Sequence, residues 1–211
     1  MADKQNLTDD NAGYKFKQHE LPILPGSPAN PDHPACRKFA YLVIGLFLGL
    51  VGGAQNGFLL ANTAALQGEL ALTPVQAGWI SVAFYSTYAC MSMLLFRVRQ
   101  EFGIQPFVKY AMIGLVAANF IQLLELGYYP EIAARAMAGI AAGGLSALSI
   151  YYLMQGLPAS ARIGALVLGI GLVQTAFPLA RAISPYLLVD GNISRAFQLQ
   201  FGLSIISLGA V

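Results

Sequence analysis

Six long apolar stretches, separated by short polar joints, run from Phe39 to Val211 and predict membrane-spanning helices. They cover about 39–66, 75–96, 107–126, 132–154, 163–188 and 196–211. The first five are long enough to cross ~30 Å of hydrocarbon at a rise of ~1.5 Å per residue. The sixth is shorter and meets the last residue with no polar flank, so the expectation is a span cut short and a chain that is part of a longer protein. Unbroken apolar runs favour helices over a barrel, whose strands would be ~10 residues of alternating character. The expected fold class is therefore all-α and integral to the membrane, behind a polar tail over residues 1–38.

Composition agrees. Charged residues make up 10 % of the chain and apolar ones 56 %, against roughly one-quarter charged in a soluble domain. A net charge of +2 offers no footprint for a nucleic-acid partner; the lipid bilayer is the expected one. Cys36 and Cys90 are too few for a disulfide framework and read as reduced thiols. His19 and His33 both lie in the tail, so the spans hold no histidine base for Ser146 in Gly144-Leu145-Ser146-Ala147. They hold no Asp pair and no His-Glu cluster for zinc either, and the chain is expected to be no enzyme and to use no metal or cofactor.

The distribution of charge predicts orientation. Lys4, Lys15, Lys17, Arg37 and Lys38 precede the first span, Arg97, Arg99 and Lys109 lie between the second and third, and Arg162 lies between the fourth and fifth. The alternate joints hold Glu69, Glu131, Asp190 and one basic residue, Arg195. Lys and Arg gather on the cytoplasmic side, so the N-terminus is expected inside the cytoplasmic (inner) membrane of a bacterium. The tail lacks the apolar core of a signal peptide. Its Pro22, Pro25, Pro28, Pro31 and Pro34 recur every third residue, a spacing that lines one edge of a polyproline II rod about 40 Å long. The rod is either a docking strip for a cytoplasmic partner or a stiff, solvated leader.

Between the first and second spans the chain reads Asn62-Thr63-Ala64-Ala65-Leu66-Gln67-Gly68-Glu69-Leu70, then Leu72-Thr73-Pro74-Val75-Gln76-Ala77-Gly78-Trp79-Ile80. Thr73 can cap the second helix, Pro74 suits its first turn and Trp79 falls at headgroup depth. The fourth span carries Arg135 with Gly139 four residues on, then Gly143 and Gly144. Gly139 and Gly143 are themselves four apart, which lets a neighbouring helix approach. These two stretches resemble the major facilitator superfamily, especially its drug:proton antiporter branch. The loop after the second span departs from the family pattern: in Phe96-Arg97-Val98-Arg99-Gln100-Glu101-Phe102-Gly103 only Gly103 matches. In the fifth span, Phe177-Pro178-Leu179-Ala180-Arg181-Ala182 keeps only Pro178 of the antiporter motif. The resemblance runs from about Phe39 to the end. It implies the N-terminal six-helix half of a major facilitator fold, with a C-terminal half missing.

Polar residues within spans need a reason, since a charge at the bilayer centre costs at least ~2.5–3.5 kcal/mol. Gln55 and Asn62 are seven apart on the first span, and Gln174 and Arg181 are seven apart on the fifth with Pro178 bending the helix between them. Asn119, Gln122 and Glu125 step by three along the third, and Tyr85 and Tyr88 offer rings and hydroxyls on the second. By the resemblance the first, second, fourth and fifth helices line a central cavity. That makes Gln55, Asn62, Tyr85, Tyr88, Arg135, Gln174 and Arg181 candidates for substrate contact, with Glu125 and Arg135 candidates for proton coupling. Gln55 and Asn62 fit equally a role in hydrogen bonding between helices, Glu125 that of an interfacial carboxylate. Arg135 also fits a helical ion pair with Glu131.

The expected function is transmembrane transport: a secondary transporter that moves a small organic, drug-like compound outward in exchange for protons. Its two halves would rock about a midplane site. The competing expectation is a truncated or non-transporting membrane scaffold.

Overall fold

The computed structural model describes residues 33–102, 104–188 and 192–210. The tail up to residue 32, with its prolines other than Pro34, lies outside them, as do Gly103 and Asp190. The described residues form seven α-helices: α1 (Ala35–Ala61), α2 (Thr63–Glu69), α3 (Pro74–Phe102), α4 (Ile104–Leu123), α5 (Tyr128–Gly156), α6 (Arg162–Leu187) and α7 (Ser194–Ala210). A 3-10 turn, Ala159–Ala161, leads into α6. Five stretches are long and apolar enough to cross a bilayer: Ala35–Ala61, Pro74–Leu95, Pro106–Leu123, Tyr128–Gly156 and Ile163–Leu187. Among the described residues the regular structure is thus all-helical, that of a multi-pass membrane protein. The sixth apolar stretch forms α7, whose 17 residues fall short of the ~20 that span hydrocarbon at right angles.

Side-chain chemistry moved the helix ends. The first apolar stretch breaks at Asn62, where the carboxamide nitrogen donates to the Phe58 carbonyl at 2.8 Å and the Thr63 hydroxyl to that of Leu59 at 3.1 Å. Short polar side chains compete here with the main chain, so α2 is a separate helix although Ala64, Ala65 and Leu66 continue the apolar run. At the start of α3, Thr73 and Gln76 form a reciprocal capping box. The Thr73 hydroxyl accepts from the Gln76 N–H at 3.3 Å, and the Gln76 side chain accepts from the Thr73 N–H at 2.9 Å. Helix α5 begins at Tyr128, earlier than hydropathy implies, because Gly127 turns the chain at φ 104°. Glu131 therefore sits in the first turn of α5, inside a helix.

Helices α1 and α5 are the central pair. Their most apolar windows are 56 % and 61 % buried, against 17 % and 22 % for α3 and α6. Helix α3 packs on α5, and α6 packs chiefly on α1. Between lipid-solvated helices the attraction comes from close packing and hydrogen bonds, and glycine permits both. A Cβ on Gly139 would strike Thr87 Oγ1 and the Phe84 carbonyl of α3; one on Gly53 would come within 2.6 Å of the Ala176 methyl of α6. The Ser149 hydroxyl on α5 donates to the Gly45 carbonyl of α1 at 2.6 Å.

Among the described residues α3 and α6 do not pack on each other. They stand apart on one side of the α1–α5 pair and leave a cleft. On the opposite side α4 packs on α5, α7 packs on α4 and α1, and the pair is covered. Leu48, Val51, Met112, Leu115 and Leu145 fill the core between α1, α4 and α5.

Candidate functional site

The cleft holds about 500 Å³ between α1, α3, α5 and α6, within the range of small-molecule sites. Its floor and one wall come from Gly52, Gly53 and Asn56 of α1 and Ser146 of α5, its other walls from Tyr85 and Tyr88 of α3 and Gln174 of α6. Tyr85, Tyr88, Ser146 and Gln174 lie near the middles of their helices. Phe84 stacks on Tyr88, with ring centroids 6.0 Å apart and planes 14° from parallel, and meets Tyr85 edge-on. The Tyr88 hydroxyl donates to Ser146 Oγ at 3.2 Å, and Ser146 Oγ donates to the Ala142 carbonyl at 2.8 Å. That short relay crosses from α3 to α5 and fixes the Tyr88 ring.

Three features give the cleft its chemistry. Among the described residues, no charged side chain lines it. The Asn56 side-chain oxygen is buried without a donor. Gln174 stands four residues before Pro178, and a proline has no N–H to return to the carbonyl one turn back. The main-chain carbonyl of Gln174 is therefore left without its helical donor at the cleft wall. Pro185 does the same for Arg181. Aromatic faces with isolated acceptors suit an uncharged aromatic molecule carrying an N–H or O–H.

Tyr85, Tyr88 and Gln174 thus meet in the cleft. Arg181 lies two turns beyond Gln174 on the same face of α6, exposed and outside the cleft lining. Asn62 is buried at the end of α1, where its side-chain oxygen accepts from the Ser184 hydroxyl of α6. Glu125, at the end of α4, has a positive φ of 49° and accepts from the Ser194 hydroxyl at the start of α7. Pro178 lies inside α6, and Gly139 and Gly143 lie where α5 meets α3.

Gln55 and Arg135 belong to a different place, the covered side. Both are fully buried. Arg135 Nε donates to Glu131 Oε1 at 3.0 Å, and Arg135 Nη1 donates to the Gln55 main-chain carbonyl at 2.8 Å. Gln122 Nε2 of α4 donates to the same Glu131 oxygen at 2.7 Å. Gln200 Nε2 of α7 donates to the Gln55 carbonyl at 3.2 Å, and Asn119 Nδ2 donates to the Gln200 carbonyl at 3.3 Å. One carbonyl of α1 thereby ties α5 and α7 together.

Sequence reasoning passed over Gln200, and weighed Ser146 only as a nucleophile without a base. Gln200, Ser204 and Ser207 recur at spacings of four and three along α7, and all three are buried; that helical stripe was the available signal. The place of Ser146 in the cleft had no such signal, because its partner Tyr88 lies 58 residues away. No family model matches the chain, and no curated protein matches it.

Proposed function

We propose that the chain is the first six-helix half of a secondary transporter of the major facilitator type, in a bacterial cytoplasmic membrane with its N-terminus inside. It moves a small, uncharged, aromatic compound outward in exchange for protons. The observation that carries this reading is the polar–aromatic cleft at mid-depth between four spans, open where α3 and α6 stand apart. A second six-helix unit completes the cleft and rocks against the first, so that the bound compound faces each side in turn.

Orientation rests on the charge asymmetry of the joints. Tyr85 and Tyr88 supply ring contacts, while Asn56 and the Gln174 carbonyl accept hydrogen bonds from the compound. The open cleft also favours a second reading, a membrane scaffold whose α3–α6 side serves only to seat another protein. The test is the full-length protein reconstituted into vesicles with an imposed proton gradient and a neutral aromatic dye. Dye movement that stops when the gradient is collapsed supports the exchange. Movement indifferent to the gradient removes the protons from the scheme, and no movement at all favours the scaffold.

A further inference from the structure

The faces of α3 and α6 that border the cleft opening are not lipid faces. Between Ala111 and Leu123, α4 exposes only Ile113 and Phe120, the apolar surface that hydrocarbon selects. Within their spans α3 and α6 instead expose Ser86, Ser92, Gln174 and Thr175. Gly78, Gly164 and Gly171 of the same two helices have nothing within 4 Å of where a side chain would begin. Small and polar residues of this kind mark contacts between helices in a membrane.

The two faces also fit each other. Successive spans alternate in direction, so the Pro74 end of α3 and the Leu187 end of α6 lie on one side of the membrane. Counted inward from those ends, Trp79 comes level with Ala182, Ser86 with Thr175 and Cys90 with Gly171, and all six are exposed. Steps of seven and four keep each trio on one face of its helix. The indole and the thiol thus stand opposite a methyl and a hydrogen, and the two hydroxyls meet about 18 Å in, at mid-depth. At the other end the exposed Glu101 comes level with the turn Ala159–Ala161 ahead of α6, where the helix dipole favours an acid. One copy does not make these contacts by itself, because its α3 and α6 do not pack on each other among the described residues.

We propose that a second copy of this chain covers the α3–α6 side. A twofold axis along the membrane normal, in front of the cleft, sets α3 of each copy antiparallel against α6 of the other. The two clefts then face each other and close into one chamber that neither copy encloses alone. The second copy is the six-helix unit that the proposed function calls for, and that role rests on the transport reading; the pairing itself does not.

The experiment is disulfide cross-linking of the full-length protein in native membranes. Two differently tagged copies, both carrying Cys36→Ser and Cys90→Ser, receive Ser86→Cys in one and Thr175→Cys in the other. Oxidation should join them into a covalent dimer that bears both tags. Met93→Cys with Ala182→Cys, about 21 Å out of register, should give none. Gly171→Trp added to both copies should abolish the dimer, and native mass spectrometry should then find one chain where the parent protein has two. The new indole enters open space within a single copy, so an unchanged helical circular dichroism spectrum separates lost pairing from lost fold. A monomer that resists cross-linking, the outcome a second half in the same polypeptide gives, would overturn the pairing. So would equal cross-linking out of register, or a dimer indifferent to Gly171→Trp. The two readings fail separately: a cross-linked dimer that moves no dye loses only the transport reading, and a monomer that moves dye loses only the pairing.

Discussion

Removing Arg135 strands a carboxylate inside the helix bundle, and the energetic consequence follows from its surroundings. Arg135 has no exposed surface and Glu131 almost none, so neither partner can turn to water when the other is lost. Breaking a buried pair on one side costs about 3–5 kcal/mol. Arg135→Leu and Glu131→Leu should each fall in that range. Replacing both by Leu removes the uncompensated charge, leaving mainly the lost bonds to Gln122 and the Gln55 carbonyl, at ~1 kcal/mol each. The double variant should therefore lie within about 2 kcal/mol of wild type, far from the sum of the singles. Thermal unfolding in detergent, followed by helical circular dichroism, reads this out. With about 2–4 °C per kcal/mol for a chain of this length, each single variant melts roughly 6–20 °C early. Single variants within about 1 kcal/mol of wild type, or strictly additive effects, would refute the reasoning.

Three further outcomes are expected. Gly139→Val drives its side chain into Thr87 and the Phe84 carbonyl of α3 and should destabilise by about 1–3 kcal/mol, whereas the same change at Gly164, which faces open space, should not; melting temperatures decide. Tyr88→Phe keeps the stack on Phe84 but cuts the relay to Ser146, so a neutral fluorescent aromatic probe should bind about threefold to tenfold more weakly for a loss of ~1 kcal/mol. Both cysteines are free and exposed; in a Cys90→Ser background an impermeant maleimide should label Cys36 only after intact cells are opened, and labelling of intact cells would reverse the orientation.

Some of the site was readable and some was not. Tyr85, Tyr88 and Gln174 stood out as polar or amphipathic groups in greasy spans, and they do meet around one cleft. Gln55 and Asn62 looked like one face of one helix. The break at Asn62 and the pull of Arg135 on the Gln55 carbonyl gave them separate surroundings. The Glu131–Arg135 spacing announced an ion pair, but nothing in the spacing said that Gln122 and Gln200 from two other helices would close around it.

The chain by itself determined its solvent and its secondary structure. Backbone groups without water must bond within their own helix, so long apolar runs admit little else. The capping box at Thr73 and the chain reversal at Gly127 follow equally from local chemistry. Tertiary structure decided which polar residues face a cleft and which are sealed away. In lipid an apolar stripe no longer marks the core, because the exterior of the bundle faces hydrocarbon and is as apolar as its interior. What selects the buried face is close approach at glycine and hydrogen bonding between side chains. Both depend on partners far apart in sequence, such as Gly53 with Ala176 or Gln122 with Glu131.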